Sequence, residues 1–251
     1  MSPLKKWTKS LVLANPRFAE RFYGMLTILR AKRAARDGAS FGQSGEDAWL
    51  VRQLADSNIP WAASGFYIDI GANHPVVLSS TYLLYRHGWR GLTVEPIPSL
   101  CALHRRMRPR DICLNAGVGA RAEERAFWET APDVFSSFSR EAPLEAEANG
   151  WCRVLRESRV RVVTPDDILH HVPEGIAVNH LSIDTEGLDV EILANWPWER
   201  SRPDLISCEA SATRDHRSEA NRLLTAAGYQ PVKEFAVTAF WKSATLGGDF
   251  G

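Results

Sequence analysis

Four short apolar runs, each closing on or beside an acid, constrain this chain more than any other feature. They are Phe66-Tyr67-Ile68-Asp69-Ile70, Gly91-Leu92-Thr93-Val94-Glu95, Leu181-Ser182-Ile183-Asp184 and Asp204-Leu205-Ile206-Ser207-Cys208-Glu209. Each is too short for a helix and is rich in β-branched and aromatic residues, the pattern of a strand buried on both faces. Helical stretches separate them, so the strands are expected to lie parallel in a doubly wound α/β sheet. The ligand crevice of such a sheet opens outside the carboxyl ends of its strands. Asp69, Glu95, Asp184 and Glu209 should therefore share one rim. Any one of these acids could instead serve the amides at a helix start, but four at equivalent positions point to a site.

The sharpest turn follows the first run, at Gly71-Ala72-Asn73-His74-Pro75. Gly71 has no Cβ, so a ligand could approach the backbone there, and Asp69 at the strand end could accept its hydrogen bonds. The dinucleotide pattern G-x-G-x-x-G is absent, which favours a nucleoside ligand without a pyrophosphate.

Read in order, the chain supplies the remaining pieces. Ser44 is placed to cap a helix, with Asp47 completing a capping box. Ser79 or Ser80 can cap a helix that stops at Gly88. Pro98-Ser99 opens the next helix, and residues 112–119 read as a third strand. Between residues 120 and 160 the alternation breaks around Phe127, Trp128, Phe135, Phe138 and Trp151; this is expected to be a surface insertion or a lid over a substrate. Residues 159–163 look like a short strand, and Thr164-Pro165-Asp166-Asp167 is a second capping box. A last helix ends at Gly228. Residues 229–232 and 236–241 are too close for a crossover and must pair as an antiparallel hairpin.

A chain of 251 residues with 45% hydrophobic content suits one α/β domain, residues 41–251, preceded by an extension, residues 1–40. Thirty basic and thirty acidic residues cancel, which gives no electrostatic case for nucleic acid. The charge is nevertheless segregated: residues 1–40 carry nine Lys or Arg against Glu20 and Asp37, a net of +7 that leaves −7 for the rest. Leu4, Trp7, Leu11, Phe18, Phe22, Met25 and Leu29 recur there at helical spacing. This basic amphipathic helix is expected to pack on the domain or a second subunit, or to touch an anionic membrane surface. Cys101, Cys113, Cys152 and Cys208 lack metal-ligand spacing, and no run of about 18 apolar residues exists. A cytoplasmic protein is expected, peripheral to the membrane at most.

Six segments together resemble the FkbM family of S-adenosylmethionine-dependent methyltransferases: Gly42-Gln43-Ser44-Gly45-Glu46-Asp47, the Tyr67–Asn73 strand and turn, Gly91–Pro96, Ser136-Ser137-Phe138-Ser139, Leu181–Gly187 and the closing hairpin. The resemblance implies a class I methyltransferase domain with a seven-stranded, mostly parallel sheet and an antiparallel last strand. It also implies methyl transfer from S-adenosylmethionine to a hydroxyl of a sugar or natural product. By the same resemblance Asp69, Gly71, Ala72 and Asn73 would surround the methionine part, Glu95 and Pro96 the ribose, and Asn115 and Ala116 the adenine, with Ser137 and Asp184 also near the cofactor. The bottom-up reading agrees for Glu95, since a carboxylate ending the second strand suits a ribose diol. For the base that takes the hydroxyl proton, position favours Asp184; His74, Glu186 and Glu209 are the other candidates, and the acids could also hold a divalent metal. Methylation of nitrogen or carbon, or a cofactor-binding module recruited through its basic N-terminal helix, are the alternatives.

Overall fold

The computed structural model describes residues 40–56, 59–60, 62–209, 214–236 and 238–246. The basic extension, and the partner or membrane role expected of it, lie outside the described residues. In chain order the elements are α1 (Glu46–Asp56), β1 (Phe66–Ile70), α2 (Tyr82–Arg86), β2 (Arg90–Val94), α3 (Pro98–Met107), β3 (Ile112–Leu114), β4 (Gly117–Val118), β5 (Glu123–Ala131), α4 (Glu141–Ala148), β6 (Arg153–Val163), α5 (Pro165–Leu169), β7 (His180–Ile183), α6 (Asp189–Ala194), β8 (Leu205–Glu209), α7 (Arg214–Ala226), β9 (Tyr229–Glu234) and β10 (Thr238–Ser243). Among the described residues, 124–160 form one compact unit, and 40–123 with 161–246 form another.

The larger unit is built on a seven-stranded sheet of order β3-β2-β1-β7-β8-β10-β9. Pairing is parallel from β3 through β8, while β10 runs antiparallel to both β8 and β9. The doubly wound sheet and the antiparallel last strand are thus as expected, with the order reversing between β1 and β7. Alternation along the strands sends their side chains to two faces. One face is apolar: Ile68, Ile70, Leu92, Val94, Leu181, Ile183, Ile206 and Cys208 form a single cluster closed by Trp196, Leu224 and Trp241. On the other face Tyr67 and Phe240 pack with Trp49, Leu84 and Trp89. That second face also carries a register row of buried polar residues, Thr93, Asp69, Ser182 and Ser207, one from each of the four central parallel strands.

The Gly42–Asp47 segment folds for a different reason than the capping box foreseen for it. The Ser44 side chain does not cap α1. Glu46 accepts from the Gln43 and Ser44 amides at 2.9 and 2.7 Å, and Asp47 accepts from Ser40 Oγ and the Phe41 amide. Both acids are buried, and they pin the chain entering α1. The predicted third strand is also two pieces: β3 ends at Leu114, and β4 pairs with Val162 and Val163 of β6, outside the main sheet. At Thr164 the capping box is present in full, with Asp167 answering the Thr164 side chain and amide.

The smaller unit is structured, not loop-like. β5 and β6 are neighbours in a sheet, and the strand expected at 159–163 begins at Arg153. Trp128 and Ser137 exchange backbone hydrogen bonds at 2.9 and 3.2 Å, and Phe127 meets Phe138 at 4.8 Å between ring centres. Ser136 Oγ accepts from the Thr130 amide and Ser137 Oγ from the Ser139 amide. Arg156 pairs with Glu129. All four cysteines are buried thiols.

One buried side chain stitches the amino ends of three sheet strands. Asn179 Oδ1 accepts from the Phe66 amide at 2.9 Å and its Nδ2 donates to Asp204 at 3.0 Å, while its backbone bonds to Phe66 and Leu205. Asn179→Leu should leave the Phe66 amide unpaired in a buried place and lower stability by about 1–3 kcal/mol, read as a reduced urea midpoint with an unchanged slope.

Candidate functional site

The rim follows from register. Ile70 pairs with Val94 and Ile183, and Ile183 with Cys208, so the next residues, Glu95, Gly71, Asp184 and Glu209, stand in one row across β2, β1, β7 and β8. Three of the four expected acids share this row. The position on β1 belongs to Gly71, and Asp69 lies two residues below it.

Gly71 is required here by the protein itself. Its φ is +78°, and a Cβ would fall 1.8 Å from the Asp184 carbonyl oxygen. Close approach of two backbones by itself excludes a side chain here. The Gly71 and Ala72 amides both donate to the Val94 carbonyl at 3.0 and 3.1 Å, which binds the β1 turn to β2.

Glu95 is buried and joins two turns: its Oε2 accepts from the Asn73 amide at 2.8 Å and its Oε1 from the Ile97 amide at 2.7 Å. Asn115, exposed at the end of β3, donates through Nδ2 to the carbonyls of Glu95 and Pro96, both at 2.9 Å. Ala116 beside it is buried. Asn73 and Glu186, non-glycine residues in the turns after β1 and β7, adopt φ of 45° and 53°. Such conformations cost about 1–3 kcal/mol each and concentrate at functional sites.

Asp69 and His74 do other work than the sequence suggested. Asp69 is enclosed beneath α2, where Thr81 Oγ1 donates to it at 2.5 Å. Burial raises its pKa, opposed by the nearby Arg108 charge and by hydrogen bonds from Thr81 and Ser182. His74 is also buried, and its Nδ1 accepts from the Val76 and Val77 amides, both at 3.1 Å. Burial and the Arg108 charge push its pKa down to about 4. Its lone pair is thus spent on fixing the loop. Ser137 belongs to the smaller unit.

The acids after β7 and β8 form the most perturbed group. Burial within the surrounding protein raises the Asp184 pKa well above the ordinary value, helped by Glu186, Asp189, Glu209 and Asp69. Burial, then Glu209 and Asp189, lifts Glu186 to about 8. Both side chains nonetheless reach solvent, and water screens charges there more than in a dry core. Asp189, at the start of α6, is buried: Thr185 Oγ1 donates to its Oδ2 at 2.9 Å, and its Oδ1 has no hydrogen-bond partner. Its pKa rises to about 6, mainly by burial. Among the described residues no group of three or more His, Cys, Asp or Glu is arranged to hold a metal ion.

Four residues of this region escaped the sequence reading: Asp189, Thr81, His104 and Arg108. His104 comes from α3 and Arg108 from the cap at its end, and the helical spacing gave no hint that this helix faces the β1 turn. His104 Nε2 lies 2.9 Å from the Asn73 carbonyl oxygen, and Arg108 Nε donates to the Pro75 carbonyl at 2.7 Å.

The family model of the methyltransferase FkbM domain matches residues 69–231. No curated protein matches the chain. Among solved structures, a TehB-like SAM-dependent methyltransferase from Corynebacterium glutamicum is 13% identical, with 91% of this chain and 100% of that chain covered and a TM-score of 0.42. An O-methyltransferase from Bacillus cereus in complex with SAH is also 13% identical, with 95% of each chain covered and a TM-score of 0.39.

The acid cluster makes a testable demand on stability. A carboxyl whose folded pKa is raised binds its proton more tightly when folded, so it costs nothing well below its unfolded value near 4 and its full penalty above the folded value. For Asp189, at about 6, the penalty should grow between pH 4 and pH 6. Each tenfold change in proton affinity is worth about 1.4 kcal/mol, so Asp189→Asn should stabilise by up to about 3 kcal/mol at pH 8 and by little near pH 4. Urea midpoints of both proteins across this range check the sign.

Proposed function

Since the chain belongs to the FkbM methyltransferase family, we propose that it transfers a methyl group from S-adenosylmethionine to a hydroxyl oxygen of a sugar or natural product. The observation that carries the reading is the rim row, with Glu95 on one side of the switch point and Asp184 on the other. The cofactor supplies a methyl group on a sulfonium sulfur, activated for direct displacement by an oxygen nucleophile. The residues present fit it. Glu95, already organising both turns, is a carboxylate at the place where a ribose diol would donate. Asn115, anchored through Nδ2, offers its Oδ1 beside the adenine position. The acids around Asp184 suit a ligand that carries positive charge.

Asp184 takes the proton from the acceptor hydroxyl. A carboxylate of ordinary pKa is a poor base for a hydroxyl, and raising its pKa toward the working pH improves proton transfer. Burial and the neighbouring acids do this for Asp184. Gly71 lets the Asp184 backbone lie directly against the cofactor turn, so base and cofactor share one rigid support. Holding the reacting atoms in line supplies the larger part of the rate. The expectation of a peripheral membrane contact or a homo-oligomer through residues 1–40 stands as part of this proposal, resting on their +7 charge and amphipathic spacing.

Incubation with 13C-methyl S-adenosylmethionine and a panel of sugar acceptors tests the reading. The label should appear on oxygen by NMR; label on nitrogen or carbon, or none at all, would replace it. Asp184→Asn should cut turnover at least about 10²-fold and keep cofactor affinity within about threefold. In the native enzyme the rate should rise with pH as this carboxyl loses its proton, and that rise should vanish in the variant. Near-normal turnover in Asp184→Asn would remove this residue from the mechanism.

A further inference from the structure

Helix α3 meets the turn after β1 through two buried side chains one helical turn apart, His104 and Arg108. A carbonyl oxygen only accepts, so the contact between His104 Nε2 and the Asn73 oxygen at 2.9 Å makes Nε2 the protonated nitrogen. The other nitrogen, Nδ1, is buried with no hydrogen-bond partner. A leucine or phenylalanine at this position would avoid that cost, and what the histidine adds is the single donor.

The group it holds is strained. Asn73 has a φ of 45°, in the left-handed region that a non-glycine residue keeps only when its surroundings over-determine it. Three bonds do so: its amide donates to Glu95 Oε2 at 2.8 Å, its Oδ1 accepts from the His74 amide at 2.7 Å, and its carbonyl accepts from His104. If Asn73 relaxed to negative φ, its amide and carbonyl could no longer meet Glu95 and His104 at the same time.

We infer that His104 is a positioning residue for the cofactor turn: by donating to the Asn73 carbonyl it keeps the Asn73 amide on Glu95 and so fixes the carboxylate that meets the ribose. The inference rests on the reading of Glu95 as the ribose-binding acid. Burial, together with the charges of Arg108 and His74, holds the His104 pKa down to about 3, against the pull of the Asn73 and Ala72 backbone. The donor is therefore neutral and unchanged across the working pH range.

The test compares H104F, which keeps a ring but loses the donor, with H104Q, which keeps a donor. Calorimetry with S-adenosylmethionine should show about tenfold weaker binding by H104F and recovery to within about threefold by H104Q. In turnover the H104F loss should fall on the cofactor KM, with kcat within about twofold. Unchanged affinity in a folded H104F with a lowered melting temperature would make His104 a packing residue and overturn the inference. Absence of cofactor binding by the native protein would overturn the proposed function and this inference with it. If H104F does not fold, 15N NMR of the native imidazole decides. A protonated Nε2 that shifts when cofactor is added supports positioning, and an indifferent signal refutes it.

Discussion

The buried guanidinium of Arg108 is the interaction on which the working end of this protein depends. Fully enclosed, it reaches the Pro75 carbonyl and the hydroxyls of Ser79 and Thr81, and lies 3.7 Å from Asp111. Its planar face covers the ring of Tyr82, 5.2 Å from the centre. A buried charge is tolerable only when paired and fully hydrogen-bonded. The need to satisfy this cation therefore gathers the loop after β1 and the start of α2 around one point. Through Thr81 the same network includes Asp69, and through Asp111 it includes Tyr67 and the Gly91 amide. Lysine could not replace it, since a single ammonium lacks the fork that serves three separate oxygens.

That network explains where reading the sequence succeeded and where it failed. The central strands and three of the four rim acids were legible because apolar runs and short turns are local signals. Asp69 was misplaced because a strand acid near a turn looks the same whether it faces a ligand or a buried arginine thirty-nine positions away. A signal did exist. Each central strand places one polar residue between apolar neighbours, in Ile68-Asp69-Ile70, Leu92-Thr93-Val94, Leu181-Ser182-Ile183 and Ile206-Ser207-Cys208. Taken together these foretell a polar seam inside the sheet, with Asp69 as one of its members.

The first acids of α1 show the same limit on a smaller scale. Glu46 and Asp47 were legible as helix-start residues, but not the direction in which they reach. Both turn back to the amides of Phe41, Gln43 and Ser44, which precede the helix and find their acceptors in these two carboxylates. The smaller unit was hardest to read. Of its aromatic residues Phe127 and Trp128 lie on a strand, β5, where Trp128 bonds across to Ser137, and mixed Ala, Glu and Pro hide the period-two pattern that a strand normally displays.

The rim row has a consequence for how this protein can change. Neighbouring strands of a sheet lie about 4.8 Å apart, so Glu95 and Asp184, with only β1 between their strands, are held roughly 10 Å apart by backbone pairing alone. This distance is a ruler that loops cannot stretch. Insertions and deletions in the connecting loops can reshape whatever meets the acceptor while the two acids keep their separation. Loss of a single residue inside β7 would instead turn Asp184 to the opposite face of the sheet. New acceptors are therefore reached by remodelling the loops, and the strands that carry the acids are the part least free to vary in length.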